Sequence, residues 1–156
     1  MLPLAVVLLA AGCGGGGSND GAAILTRAQK GVRHLDSTPI HLKVTAQTPV
    51  PVERSLDITA DRLPKLDLTH WAKNPERIAC ADGLECARAD VDVEAALREL
   101  GPLLPSLPVE PKDIRNAQID VAVDKNGRTR YLRLHGDVHV TLLGDVPFEA
   151  KLDVPP

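Results

Sequence analysis

The chain has 156 residues, a formal net charge of −3 and 44% hydrophobic residues, which is enough apolar material for one packed domain. Its pI near 5.9 gives no basic excess, which argues against nucleic acid as a partner. Aromatic residues make up 2% of the chain, so it lacks the stacking platforms of sugar clefts and single-strand grooves. Any pocket would be lined by aliphatic side chains, a lining compatible with lipid and equally typical of a core.

The first 12 residues have the pattern of a secretion signal. Residues 2–11 form an apolar run broken only by Pro3, too short for a membrane-spanning helix of about 20 residues. The sequence LAAGC at residues 9–13 resembles the bacterial lipobox, which implies lipid on the Cys13 sulfur and cleavage just before it. Ala10 stands where leucine is commoner, and the missing positive segment is explained if translation starts upstream of Met1. An ordinary signal peptide, or a core segment that contains a cysteine, remains an alternative.

Residues 13–21 follow as a lipidated cysteine and a flexible Gly/Ser-rich tether. A diacylglycerol on Cys13 would supply two acyl chains, enough for stable anchoring where one chain is marginal. Residues 22–156 are then a single globular domain. We expect an exported monomer, anchored by lipid to the cell membrane and facing the periplasm or the cell surface.

The first half of the domain predicts one helix followed by strands. Residues 22–35 repeat their apolar side chains at helical spacing, with Asp20 as the expected N-cap. From Pro39 the period changes to two, and residues 40–46 and 55–60 predict half-buried strands. Residues 65–71 predict a third strand with Leu66 and Leu68 facing inward. Trp71 is expected to pack in the core or lie at a membrane interface.

Cys80 and Cys86 flank an Asp82-Gly83 turn signal. In an exported protein a close even pair predicts a disulfide. A three-residue loop would place the two cysteines opposite each other on one face of a hairpin. Two buried free thiols or a redox pair are the alternatives, and the spacing does not match the redox motif C-x-x-C.

Residues 92–100 return to helical spacing with Asp92 as the N-cap, and the proline-rich residues 103–111 predict an extended connector. The remaining chain alternates apolar and polar residues through strands that turn at residues 125–127 and at Gly144-Asp145. The predicted fold class is α+β: a curved, half-barrel-like antiparallel sheet. Its concave face would carry the N-terminal helix and the internal helix.

No catalytic motif accompanies the serines, and no catalytic residue or cofactor is predicted. Asp120 and Asp124 share one strand face with basic neighbours, and a solvated outer face is the expected explanation. His135, Asp137 and His139 alternate on one strand face, where a third ligand could complete a zinc site. We expect ordinary surface residues there and predict no metal.

The chain resembles the LppX/LprG-like bacterial lipoproteins and, more distantly, the LolA/LolB-like carriers. The resemblance lies in the anchored cysteine, the flexible tether, the N-terminal helix and the strands with one apolar face. Residues 28–44, 119–128 and 131–134 carry the likeness. The resemblance implies a half-barrel whose concave face holds acyl chains of a lipid or glycolipid.

The function expected is therefore a non-catalytic, membrane-anchored lipoprotein that binds acyl chains in an apolar concavity. The candidate lining is the set of inward apolar side chains: Val32, Leu42, Val44, Leu56, Ile58, Leu97, Leu100, Val121, Val123, Leu132, Leu134, Val140 and Leu152. The helical members Val32, Leu97 and Leu100 would close its mouth. The alternative is a surface-tethered structural or protein-interaction module in which the same side chains fill a solid core.

Overall fold

The computed structural model describes residues 17–35, 39–59, 66–100 and 110–156. Within them lie the helices α1 (Gly17–Arg33), α2 (Leu68–Trp71) and α3 (Val93–Leu100), and a 3₁₀ turn, Pro111–Asp113. The strands are β1 (Pro39–Ala46), β2 (Val52–Thr59), β3 (Ala72–Ile78), β4 (Leu84–Val91), β5 (Ile114–Asp124), β6 (Thr129–Val140) and β7 (Gly144–Asp153). The predicted signal segment, Cys13 and most of the connector lie outside the described residues.

The seven strands form one antiparallel sheet in the order β2-β1-β7-β6-β5-β4-β3. The sheet is curved and does not close on itself. Helix α1 packs chiefly over β3, β4 and β5 and the beginning of β6. We call the sheet face against α1 the inner face and the opposite one the outer face. The predicted fold class, α+β with a curved antiparallel sheet and helices on its concave face, is confirmed.

Helix α1 buries one apolar stripe, as its periodicity predicts: Ile24, Leu25, Ala28, Val32 and Leu35. Its N-terminus differs from the prediction, because the helix begins at Gly17 and includes the second half of the predicted tether. Asp20 is therefore in the first turn, where its charge suits the helix dipole, and is not the N-cap. Tertiary packing extends the helix here: a Cβ on Gly21 would lie 2.6 Å from the Pro75 carbonyl oxygen.

The predicted strand at residues 65–71 is wrong, because α2 forms there. The Asp67 side chain accepts hydrogen bonds from the Thr69 backbone N–H (3.2 Å) and hydroxyl (2.6 Å), which caps the helical turn. Gln29 of α1 donates to the Leu66 carbonyl (2.8 Å) and accepts from the Leu68 N–H (2.7 Å). These contacts come from residues more than 35 positions away, so local periodicity does not encode them. The inward positions of Leu66 and Leu68 are confirmed, since both are buried.

Two side chains of the predicted lining are exposed, Leu56 (52%) and Val140 (38%), and so is Leu142 (93%), the next position of the same alternation. Leu56 belongs to β2, which is the edge strand of the sheet that the described residues form. Val140 ends β6, and Leu142 lies in the turn at residues 141–143, which precedes the predicted turn position. Alternation in the sequence predicts the direction of a side chain, and it does not predict whether anything covers that side chain.

Gly31 is a point where α1 approaches the sheet closely. A Cβ there would overlap the Thr129 side chain and lie 2.8 Å from the Thr129 backbone nitrogen. The Thr129 hydroxyl also donates a 2.8 Å hydrogen bond to the Ala28 carbonyl of α1. Residue 31 thus has room for glycine alone.

We expect Gly31→Ala to lower the free energy of unfolding by about 2 kcal/mol, because it overpacks this contact. In an uncrowded helix the same change would raise it by up to about 1 kcal/mol. Urea unfolding followed by Trp71 fluorescence measures the difference, with the exposed neighbour Lys30→Ala as a control expected to stay within about 0.5 kcal/mol. A more stable Gly31→Ala protein would contradict the close approach.

Candidate functional site

The apolar side chains of the inner face form rows that cross the sheet. One row pairs residues of β2, β1, β7, β6, β5 and β4 in register: Leu56, Leu42, Leu152, Leu132, Val121 and Ala87. Burial increases along it. Leu56 is half exposed, Leu42 is partly buried, and Val121 is 1% exposed beneath α1. One end of the row is core and the other end is open.

The next row repeats this gradient, whereas Ile40 and Val146, in the flanking rows, are buried. Ile119 and Ala89 are buried under the helical layer, whereas Leu134, Ala150 and Val44 in the same row are only partly buried. We call the uncovered part the open apolar face. It comprises seven side chains of β6, β7, β1 and β2: Leu42, Val44, Ala46, Leu56, Leu134, Phe148 and Ala150.

The open apolar face follows from the dimensions of the elements. A helix with its side chains is about 10 Å across and covers roughly two strands, whereas seven strands spaced about 4.8 Å apart spread over about 29 Å. Helix α1 occupies the β3 side, and α3 packs against α2 and the 3₁₀ turn. Among the described residues, the inner face of β7, β1 and β2 therefore keeps apolar side chains in partial contact with solvent.

The structure divides twelve of the thirteen predicted lining residues into three groups. Five are buried in the packed core: Val32, Val121, Val123, Leu132 and Leu152. Five are partly buried or exposed on the inner face: Leu42, Val44, Leu134, Leu56 and Val140. Leu97 and Leu100 of α3 are partly buried, and Leu100 packs against the core. The Ile58 side chain lies outside the described part of the structure. The same alternation also marks Ala46, Phe148 and Ala150, which the predicted lining did not include.

Three grooves on the described surface border the open apolar face at Phe148 alone. One of about 380 Å³ lies beside Gln118, Arg133, His135 and Glu149. Two others, of about 530 and 460 Å³, lie near the C-terminal residues Pro155 and Pro156. None of the thirteen predicted lining residues lines any of these three grooves. None of these three grooves encloses the open apolar face.

Asp120 is not on a solvated face as predicted, because its side chain is only 3% exposed. Arg88 donates two hydrogen bonds to its carboxylate, Nε to Oδ1 at 2.7 Å and Nη2 to Oδ2 at 2.9 Å. Arg133 Nη1 lies 3.7 Å from Oδ2, and His135 Nε2 lies 3.4 Å from Oδ1. Burial raises the pKa of Asp120, but the Arg88 hydrogen bonds and the neighbouring positive charges outweigh it, so the pKa lies below its ordinary value.

The neighbours of this ion pair have structural partners. Asp124 Oδ1 accepts hydrogen bonds from the backbone N–H groups of Asn126 (2.9 Å) and Arg128 (3.0 Å), which fixes the β5–β6 turn. Asp137 accepts from Asn116 (3.0 Å), and His139 Nδ1 lies 2.9 Å from Asp145. Within the described ranges, no group of three His, Cys, Asp or Glu side chains is placed to hold a metal ion.

Cys80 and Cys86 form a disulfide, with Cα atoms 6.1 Å apart. The predicted pairing is confirmed, although its geometry differs from the expected one. The strand residue opposite Cys86 is Ile78, and Cys80 lies two residues past the end of β3. The bridge therefore closes the hairpin loop rather than crossing the ladder.

Trp71 packs in the core, which is one of the two environments predicted for it. It is 2% exposed, and its indole N–H donates a 2.8 Å hydrogen bond to Glu99 of α3. Glu99 also accepts from the Asp67 backbone N–H at 3.0 Å. This carboxylate links α3 to α2, a role that nothing in the local sequence indicates.

No helix in the described part of the chain combines the length and the hydropathy needed to cross a membrane. When the chain is compared with protein-family models, curated proteins and solved structures, none of them matches it.

Proposed function

We propose that this protein is a membrane-anchored envelope lipoprotein that binds acyl chains of a lipid or glycolipid along its open apolar face, without catalysis. One observation supports this most directly: in the two central rows of the inner face, those of Val121 and Ile119, side chains become less buried with distance from α1, although Ile40 and Val146 in the flanking rows are buried. A monomer seldom leaves a contiguous apolar surface uncovered unless something binds there. The lipobox-like LAAGC sequence and the proposed lipid on Cys13 would keep the domain beside a membrane.

The open apolar face suits an acyl chain in size and chemistry. Four strands at about 4.8 Å spacing make it roughly 15 Å wide, and its seven side chains are aliphatic apart from Phe148. Moving a hydrocarbon chain from water onto such a surface is favourable in proportion to the apolar area covered. Arg54 lies at the β2 edge of the second row, where a cation could meet an acidic lipid headgroup.

The experiment is palmitate binding by the chain from residue 13 onward with Cys13→Ser, which retains every described helix and strand. We expect a fluorescent palmitate analogue to bind, and Val44→Gln to weaken its affinity about tenfold by placing an amide among the aliphatic side chains. Thr45→Gln is the matched control, because Thr45 is the next residue of β1 and faces the outer side, paired with Glu149. Equal affinities of the two variants would reject the open apolar face as the site.

Native mass spectrometry of the same protein, purified from a host with its own envelope lipids, identifies the cargo. A co-purifying mass that organic solvent removes would name the lipid class. A protein mass without cargo, together with no palmitate binding, would favour the second candidate function.

That second candidate is a tethered protein-interaction module. The solid packing beneath α1 and the regular edge of β2 favour it, since β2 pairs with β1 over all eight residues without a bulge. The opposite edge strand β3 carries a register shift between Lys73 and Glu76 and a positive φ of 50° at Asn74. Irregular edges of that kind discourage strand addition, and β2 has no such feature.

A further inference from the structure

Five exposed aliphatic side chains lie in or beside two strand connections, β1–β2 and β6–β7. We call this set the apolar tip: Val50, Val52, Val140, Leu142 and Leu143. Leu142 is 93% exposed and Val50 is 78% exposed. Side chains of this kind at a turn gain no packing within the described domain. A contact outside the domain would explain them.

The two connections lie at the same end of the sheet. β1 and β7 are neighbours, and their pairing ends with Ala46 opposite Phe148. Just beyond that pair, the Gln47 backbone N–H donates a 2.9 Å hydrogen bond to the Pro147 carbonyl. β6 reaches the same end, where Val140 pairs with Gly144. On β6, apolar side chains of the inner face lie on both sides of Gly136, Leu134 before it and Val138 after it, and they continue to Val140 at this end.

The N-terminus of α1 points toward this same end. Gly31, near the end of α1, lies against Thr129, the first residue of β6. Gly21, ten residues earlier in α1, lies against Pro75 and Glu76. Cross-strand pairing aligns Glu76 with Arg133 of β6, which is four residues closer to the apolar tip than Thr129. Cys13 precedes the first residue of α1 by four positions in the sequence.

Charges around the apolar tip are balanced. Asp145 lies 2.9 Å from His139 and 3.7 Å from Arg115, and Glu53 lies 3.2 Å from Lys43. No excess of positive charge accompanies the exposed leucines in this part of the structure. The chemistry therefore fits a neutral apolar phase better than an anionic surface.

We propose that the apolar tip inserts into the boundary between headgroups and acyl chains of a lipid bilayer. The proposal rests on the proposed function in one respect, namely that lipid on Cys13 holds the N-terminal end of α1 at the membrane. With the tip in the bilayer, the open apolar face would begin at the membrane surface. An acyl chain could then move between the bilayer and the protein without crossing water.

The test is partition of the chain from residue 13 onward, carrying Cys13→Ser, onto phosphatidylcholine vesicles. We expect binding, and a loss of about tenfold in the partition coefficient for Leu142→Asp. Thr141→Asp is the matched control, since Thr141 is the exposed preceding residue of the same turn, and its partition should stay within about twofold. Leu142→Trp should show a blue-shifted emission on vesicles, against the constant signal of the buried Trp71.

The outcomes separate this proposal from its alternatives. The proposal would be overturned if the protein did not bind vesicles, or if Leu142→Asp and Thr141→Asp lowered the partition coefficient equally. Binding that requires phosphatidylglycerol and disappears in salt would also overturn it, because electrostatic attraction would then be the cause. A dimer that Leu142→Asp disperses, without vesicle binding, would assign the apolar tip to a second copy of the chain. Val44→Gln should retain vesicle binding, and Leu142→Asp should retain palmitate binding without vesicles, so the two proposals can fail separately.

Discussion

Val121→Glu should leave the domain unfolded or close to it. The Val121 side chain is 1% exposed and pairs across the sheet with Leu132 and Ala87, and all three belong to the packed apolar core. Burying an unpaired charge costs several kcal/mol, comparable with the whole stability of a domain of this size. Near-UV circular dichroism and Trp71 fluorescence would show the loss of tertiary packing.

The matched variant is Val44→Glu, one row away on the same face. Val44 is only partly buried, so the introduced carboxylate can reach water. We expect the free energy of unfolding to fall by less than about 1.5 kcal/mol. The pair distinguishes core from open surface on one sheet. If both variants unfold, the β1 side of the inner face is as closed as the β5 side and the open apolar face does not exist. If both fold, Val121 is not in a packed core.

Asp120→Asn should lower the free energy of unfolding by about 2 kcal/mol at neutral pH. The amide keeps the shape of the side chain but loses the charge that the two Arg88 hydrogen bonds require. Removing one partner of a fully buried ion pair lowers the stability of a protein by roughly 3–5 kcal/mol. Arg88 is 40% exposed and can turn to water, which makes the expected loss smaller.

The difference in free energy of unfolding between the natural protein and Asp120→Asn should become smaller at acidic pH. The pKa of Asp120 is lower in the folded protein than in the unfolded chain, where it is about 3.9. The ion pair therefore contributes fully above about pH 5, well above the unfolded pKa, and its contribution is lost as the pH falls toward the folded pKa. The stability gap between the natural protein and Asp120→Asn should narrow between pH 5 and pH 3 in urea titrations. A constant gap over that range would mean that the carboxylate is not preferentially ionised in the fold.

Asp57→Asn serves as the control for that titration. Asp57 Oδ1 also contacts a side chain of the neighbouring strand, His41 Nδ1 at 2.9 Å, but the Asp57 side chain is 86% exposed. Exposed pairs contribute little to stability, so we expect Asp57→Asn to change the free energy of unfolding by less than about 0.5 kcal/mol throughout the titration.

Much of the fold follows from local sequence, because a one-faced element carries its own periodicity. Alternation at residues 40–46 and 119–123 predicts strands that are present, and the helical spacing of Ile24, Ala28 and Val32 predicts a stripe that is buried. Asp92 was identifiable as an N-cap from its position, and its side chain accepts a hydrogen bond from the Ala95 N–H at 3.1 Å. The short cysteine spacing likewise predicts the disulfide.

Other features depend on which elements become neighbours. The helical turn α2 requires Gln29 from α1, and the burial of Asp120 requires Arg88 and Arg133 from two adjacent strands. The candidate site depends on this too. Alternation gives Val121 and Val44 the same apolar face, and only the position of α1 makes one core and the other open surface. The sequence by itself determined the strands, their apolar face, the disulfide and the lipobox-like segment, since each is a local pattern. The tertiary structure alone decided which part of that face is covered, because coverage depends on where one helix packs on a sheet too wide for it.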